Sequence, residues 1–139
     1  MFAWGTHIWG RKPARLVERV IAAINARDFA TLATSVISDV RFIDSMGDGV
    51  AGQQAAFLLL QRMIACDPDL RIHVDEMTGH DDAVLVTGRI SGSQKMSSQR
   101  TLWKIVLQDG LVAEWRSFSA DNPLPVTRIL MGSEARAFA

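Results

Sequence analysis

The sequence predicts an α+β fold in which three N-terminal helices cover one face of a curved antiparallel sheet. Three observations carry this reading. Up to Cys66 the apolar residues mostly recur at three- and four-residue spacing, and from Leu70 they alternate with a period of two. The later apolar runs are divided by short polar or glycine-containing turns, the pattern of hairpins. Helices mostly precede strands instead of alternating with them, which argues against a parallel sheet. A length of 139 residues suits one compact unit.

Pro13 suits a first helical turn, and Leu16, Val17, Val20, Ile21 and Ile24 follow on one face, with Arg15, Glu18, Arg19 and Asn25 opposite. Asp28 can cap a second, shorter helix with an inner stripe of Phe29, Leu32, Ala33 and Val36. The stretch "VRFIDSMGDGVAG" then begins as a strand. Its Val40, Phe42 and Asp44 share one side, so a carboxylate falls on the apolar face and needs a partner, a proton or a polar cavity. The glycines after it supply turns, with room for a short strand at Val50. A third helix spans about Gln53 to Cys66, with Phe57, Leu60, Met63 and Ile64 inward, and "DPD" ends it.

The runs "LRIHVDEMTG", "AVLVTGRISG", "RTLWKIVLQ" and "LVAEWRSFS" predict a four-stranded antiparallel meander, with Asp109-Gly110 as a hairpin turn. In the third run Trp103 and Ile105 lie on one side, and Leu102 and Val106 on the other. Both faces are apolar, and three helices cover only one of them. The expected cover for the outer face is a second copy, giving a homodimer. The final segment, with two prolines and then a short helical run, is expected to latch onto the partner or the pocket mouth.

Fifteen basic and fifteen acidic residues cancel, and neither sign forms a long run, which disfavours nucleic acid and anionic membranes as partners. The single cysteine, Cys66, has no intrachain disulfide partner and no zinc-ligand cluster around it. A reduced, cytoplasmic setting is expected. The opening "MFAWGTHIWGRKPAR" lacks the layout of a signal peptide, and no stretch reaches the eighteen or so apolar residues of a membrane helix.

The element order, with "ERVIAAINARDFATL", "VRFIDSMGDGVAG" and "TLWKIVLQDGLVAEWRSF" at their spacing, resembles the nuclear transport factor 2-like superfamily. Within it, the sequence is most similar to SnoaL-like polyketide cyclases, ketosteroid isomerases and limonene-epoxide hydrolases. The resemblance implies a cone-shaped, cystatin-like sheet over residues 13–121, with 1–12 and 122–139 as tails. It also places Asp44 where ketosteroid isomerases hold the aspartate that shuttles a proton alpha to a ketone. The oxyanion donors of those enzymes lack counterparts here. The chain has no tyrosine, and the matching positions are Val20 and Thr101 or Leu102. The acids of the epoxide hydrolases correspond to Ser91, after Arg89, and to Ser117, after Trp115 and Arg116; a serine is no base unless something deprotonates it.

The candidate site follows. Asp44 is the candidate general base, and its structural alternative is a strand-end acceptor for amides of the glycine-rich turn. Arg89 is either a pocket cation paired with Asp44 or Asp121, or a rim charge. Trp115, Ser117 and Ser119 share a face and, with Trp103, offer a stacking wall and hydroxyls to a ligand; the alternative is core packing with serines bonded to backbone. His73 and Asp75 point one way but lack a third ligand, so no metal is expected. The expected function is binding of a small hydrophobic metabolite, with proton transfer, isomerisation or aldol-type cyclisation at Asp44 and no cofactor. The alternatives are a non-catalytic binding or dimerisation module and an epoxide hydrolase with a rewired site.

Overall fold

The computed structural model describes residues 8–93, 100–119 and 124–138, with side chains from Lys12 onward. Helix α1 (Ile8–Ala26) and α2 (Phe29–Ser35) form a hairpin, β1 (Val36–Ile43) and β2 (Asp48–Ala51) follow, and α3 (Gln53–Cys66) closes the first half. The meander is β3 (Arg71–His80), β4 (Ala83–Ser91), β5 (Arg100–Gln108) and β6 (Leu111–Ser119), and α4 (Val126–Met131) and β7 (Arg136–Ala137) end the chain.

Local chemistry accounts for these elements. The Asp28 carboxylate accepts bonds from the Thr31 amide and hydroxyl, which caps α2 as its sequence position requires. Asp109 and Gly110 both take positive φ, 53° and 77°, the signature of the two-residue turn that matches strand twist. Pro13 lies inside α1 and not in its first turn, because the helix begins five residues earlier, at Ile8.

The seven strands run in the order β3-β4-β5-β6-β1-β2-β7 in one sheet. The meander is antiparallel, but β1 joins β6 in parallel, with Phe42 beside Trp115 and Ile43 beside Arg116. The sheet is therefore mixed at one seam. Register shifts occur in β1, in β3 between Val74 and Glu76, and in β5 at Val106/Leu107; such bulges bend a sheet. The bend wraps the concave face around α1, where Val17 and Val20 meet Val84, Val86, Trp103 and Ile105 in the main core. The edge strand β3 is partly shielded by Asn25, whose amide donates to the Ile72 carbonyl (3.0 Å) while its oxygen accepts from the Ile72 amide (2.8 Å).

The C-terminal segment is integral to the domain instead of a tail. Thr127 and Met131 of α4 are buried, and β7 adds a strand to β2. Apolar α4 residues pack on α3 and β2. The outer sheet face keeps exposed apolar surface at Leu85 and Phe118.

Candidate functional site

The helices do not fill the bend of the sheet. A cavity of about 230 Å³ remains, walled by Val20 and Ile24 of α1, Phe57, Leu60 and Met63 of α3, and Val126 and Leu130 of α4. Its sheet side holds Phe42, Trp103, Trp115, Thr101, Ser117 and Ser119. Period-two alternation puts the last five on the inner face, from positions 101 and 103 of β5 and 115, 117 and 119 of β6. The two indoles lie 6.1 Å apart at 56°. Gly88 leaves space for them: a Cβ there would sit 3.1 Å from the Trp103 ring and collide with the His73 carbonyl.

Asp44 lines this cavity at only 3% exposure. Its Oδ1 accepts from the Met46 amide (2.9 Å) and the Asp48 amide (3.1 Å). Its Oδ2 accepts from the Thr127 amide (3.1 Å), at the start of α4. The carboxylate thus holds the β1–β2 turn and docks the C-terminal helix while forming part of the cavity wall. Asp48 continues the arrangement outward through a two-pronged bond to Arg128, 2.8 Å to Nε and 3.0 Å to Nη2. Hydrogen bonding to Asp48, and then its charge, holds the Arg128 guanidinium above its ordinary value.

Sequence reasoning missed Asp67. It reads as half of a helix-breaking "DPD", yet it is 2% exposed and lines the cavity at the C-cap of α3. Its Oδ1 accepts from the Ser93 amide (3.1 Å), the Ser93 hydroxyl (2.9 Å) and the Asp69 amide. No periodic pattern marks it, because its partner Ser93 lies 26 residues later in the chain, just past the end of β4. The acid before Pro68 was the only available signal.

Arg89 requires a correction. Gly88, not Arg89, faces inward; Arg89 lies exposed on the outer face, opposite His73 and Arg100 on the neighbouring strands, and does not line the cavity. The physical reason is parity, since Val84, Val86 and Gly88 take the buried positions and leave Leu85, Thr87 and Arg89 outside. Its suggested partner Asp121 lies outside the described residues. Ser91 bonds the exposed His73 (2.6 Å), whereas Ser117 lines the cavity, so the residues matching the epoxide-hydrolase triad do not converge. Val20 and Thr101, the positions matching the oxyanion donors of ketosteroid isomerases, do meet at the cavity, but as an apolar side chain and a neutral hydroxyl. Among the described residues no group of three or more His, Cys, Asp or Glu could hold a metal, and no helix is long and apolar enough to cross a membrane.

Residues 17–115 match the profile of the SnoaL-like domain. No curated protein sequence matches the chain. Among solved structures, a candidate SnoaL-like polyketide cyclase from Jannaschia sp. CCS1 superposes with a TM-score of 0.73 at 20% identity, covering 91% of this chain and 96% of that one. A candidate polyketide cyclase from Sinorhizobium meliloti gives 0.68 at 19% identity over 74% and 93%. An LEH-like epoxide hydrolase of M. tuberculosis gives 0.65 at 18% over 78% and 82%. At these identities the likeness speaks for the fold.

Proposed function

The chain belongs to the SnoaL-like domain family, and from that membership we propose that it binds a small hydrophobic molecule in the cavity between the sheet and helices α1, α3 and α4. The observation that carries this reading is the cavity itself, an apolar hollow of about 230 Å³ into which two tryptophans and a buried carboxylate face. Natural interiors are packed with few voids larger than a water molecule, so a hollow of this size supports a ligand-binding reading. An apolar cavity of about 150 Å³ holds one benzene. This one therefore suits a one- or two-ring guest.

A catalytic reading has its own support. Oδ2 of Asp44 accepts one bond while Oδ1 accepts two, which leaves Oδ2 acceptor capacity for a proton. Proton transfer at an already acidic carbon, as in aldol-type closure of a polyketide-like chain, asks least of missing oxyanion donors. We propose that chemistry for Asp44, with Trp103, Trp115, Ser117 and Ser119 positioning the guest. The outer face, with Leu85 and Phe118 exposed beside half-buried Leu102 and Val106, supports pairing with a second copy.

The test is quenching of tryptophan fluorescence by a panel of one- and two-ring ketones, alcohols and epoxides. Saturable quenching with a matching rise in melting temperature supports the pocket. A panel without a single saturable partner, together with unchanged binding-site fluorescence in Ser117→Phe, overturns it. For catalysis, exchange of the proton alpha to a bound ketone into deuterated water is expected in the wild type and lost in Asp44→Asn.

A further inference from the structure

We infer that the cavity selects guests carrying a cationic amine over neutral isosteres and rejects anionic ones. This rests on the pocket reading and adds the charge of the ligand. The basis is how the site's charges are distributed. Arg41 is the only basic residue among the described lining residues, and it contributes only its inner side: its guanidinium is on the outer face, bonded to Glu114 through Nε (3.1 Å) and Nη2 (2.8 Å). Asp44 lines the cavity, and the three donors to its carboxylate are all neutral backbone amides. Amides stabilise a carboxylate without cancelling its charge.

Arg128 is committed bidentately to Asp48 and its side chain is 57% exposed, so Asp44, Asp48 and Arg128 together carry one net negative charge. Asp67 also stands on the wall, at the C-cap of α3, with its Oδ1 held by Ser93 and the Asp69 amide. Ser117 is the neighbouring polar group. Ile43 pairs with Arg116, so Asp44 follows at the Ser117 end of β6, and the Ser117 hydroxyl makes no bond among the described residues. An ammonium group placed there meets a carboxylate and a hydroxyl, while its rings lie against Trp103 and Trp115, whose faces also attract cations. A carboxylate guest would meet like charge in a poorly hydrated space.

The test uses three isosteres of matched size on the intact protein: 2-aminotetralin, 2-tetralone and tetralin-2-carboxylate, with Kd from tryptophan quenching and calorimetry at pH 7. Binding in the order amine, ketone, carboxylate is expected, with the amine about tenfold or more tighter than the carboxylate. In Asp44→Asn the ratio of amine affinity to ketone affinity should fall toward one. If that variant does not fold, the wild-type ranking decides, together with Ser117→Ala, which should weaken the amine more than the ketone. Ketone binding as tight as amine binding would overturn the charge inference and leave the pocket reading standing. Absence of binding by all three would remove both.

Discussion

Oδ2 of Asp44 accepts a hydrogen bond from the backbone amide of Thr127, 83 residues later in the chain. One buried carboxylate thereby joins the first strand, the turn after it and the last helix, and it does so on the wall of the cavity. The same contact makes the C-terminal segment part of the site.

Removing it has a graded cost. Asp44→Asn can keep the Met46 and Asp48 bonds on its remaining oxygen, but its NH2 group then faces the Thr127 amide, donor against donor. One buried amide left unsatisfied costs about 2 kcal/mol. Asp44→Ala orphans all three amides, and about 4 kcal/mol is expected. Urea unfolding distinguishes the two: an Asn variant as stable as the wild type would show that the Thr127 amide bond contributes nothing to the docking of α4.

Arg128→Gln removes the Asp48 ion pair but leaves the Thr127 amide bond and the Arg62 guanidinium on the Leu130 carbonyl (2.7 Å). The helix should stay docked and open more often. Hydrogen exchange is expected to rise at residues 126–131 and to stay unchanged in β4 and β5, whereas a global rise would contradict a local latch.

Gly88→Ala should be among the worst single-methyl additions in the protein. The new Cβ meets the His73 backbone on the paired strand and the Trp103 ring, and the backbone cannot step aside inside a ladder. A loss of roughly 3 kcal/mol is expected, with a changed near-ultraviolet circular dichroism signal from the tryptophan pair. The neighbouring Thr87→Ala, on the exposed face, should be nearly silent.

Asn25→Ala strips the edge strand of the side chain that bonds both polar groups of Ile72. About 1–2 kcal/mol should be lost. Asn25→Asp restores only the bond to the Ile72 amide and places an acceptor against the carbonyl, so a thermal melt should find it no better than alanine.

Acid sensitivity has one clear local source. The Thr31 hydroxyl and then its amide hold the Asp28 carboxyl below its usual value near 3.8. A carboxyl lowered in the folded state stabilises fully above its unfolded value, and that stability is lost as pH falls through the folded one. Asp28→Asn keeps a cap that does not titrate. Its melting temperature should therefore fall less than the wild type's between pH 5 and pH 2.5, and parallel declines would rule out this contribution.

The sequence alone determined the helices, the four long strands with the turns at Asp81-Asp82 and Asp109-Gly110, and which alternate residues face inward, because those depend on period and turn chemistry within a few residues. It also placed Trp103, Trp115, Ser117, Ser119 and Asp44 on inward positions, since parity carries that far. Tertiary structure decided the rest. Gly88, not Arg89, holds the inward position beside the Trp103 ring and the His73 backbone, which leave no room for a side chain; Asp67 became a cavity wall only once Ser93, 26 residues later, was brought against it. The parallel seam of β1 on β6, the strand β7, and the docking of α4 through Thr127 all join residues far apart in the chain. Such contacts are fixed by which backbone groups and apolar faces find each other once the sheet has bent, and no local pattern encodes them.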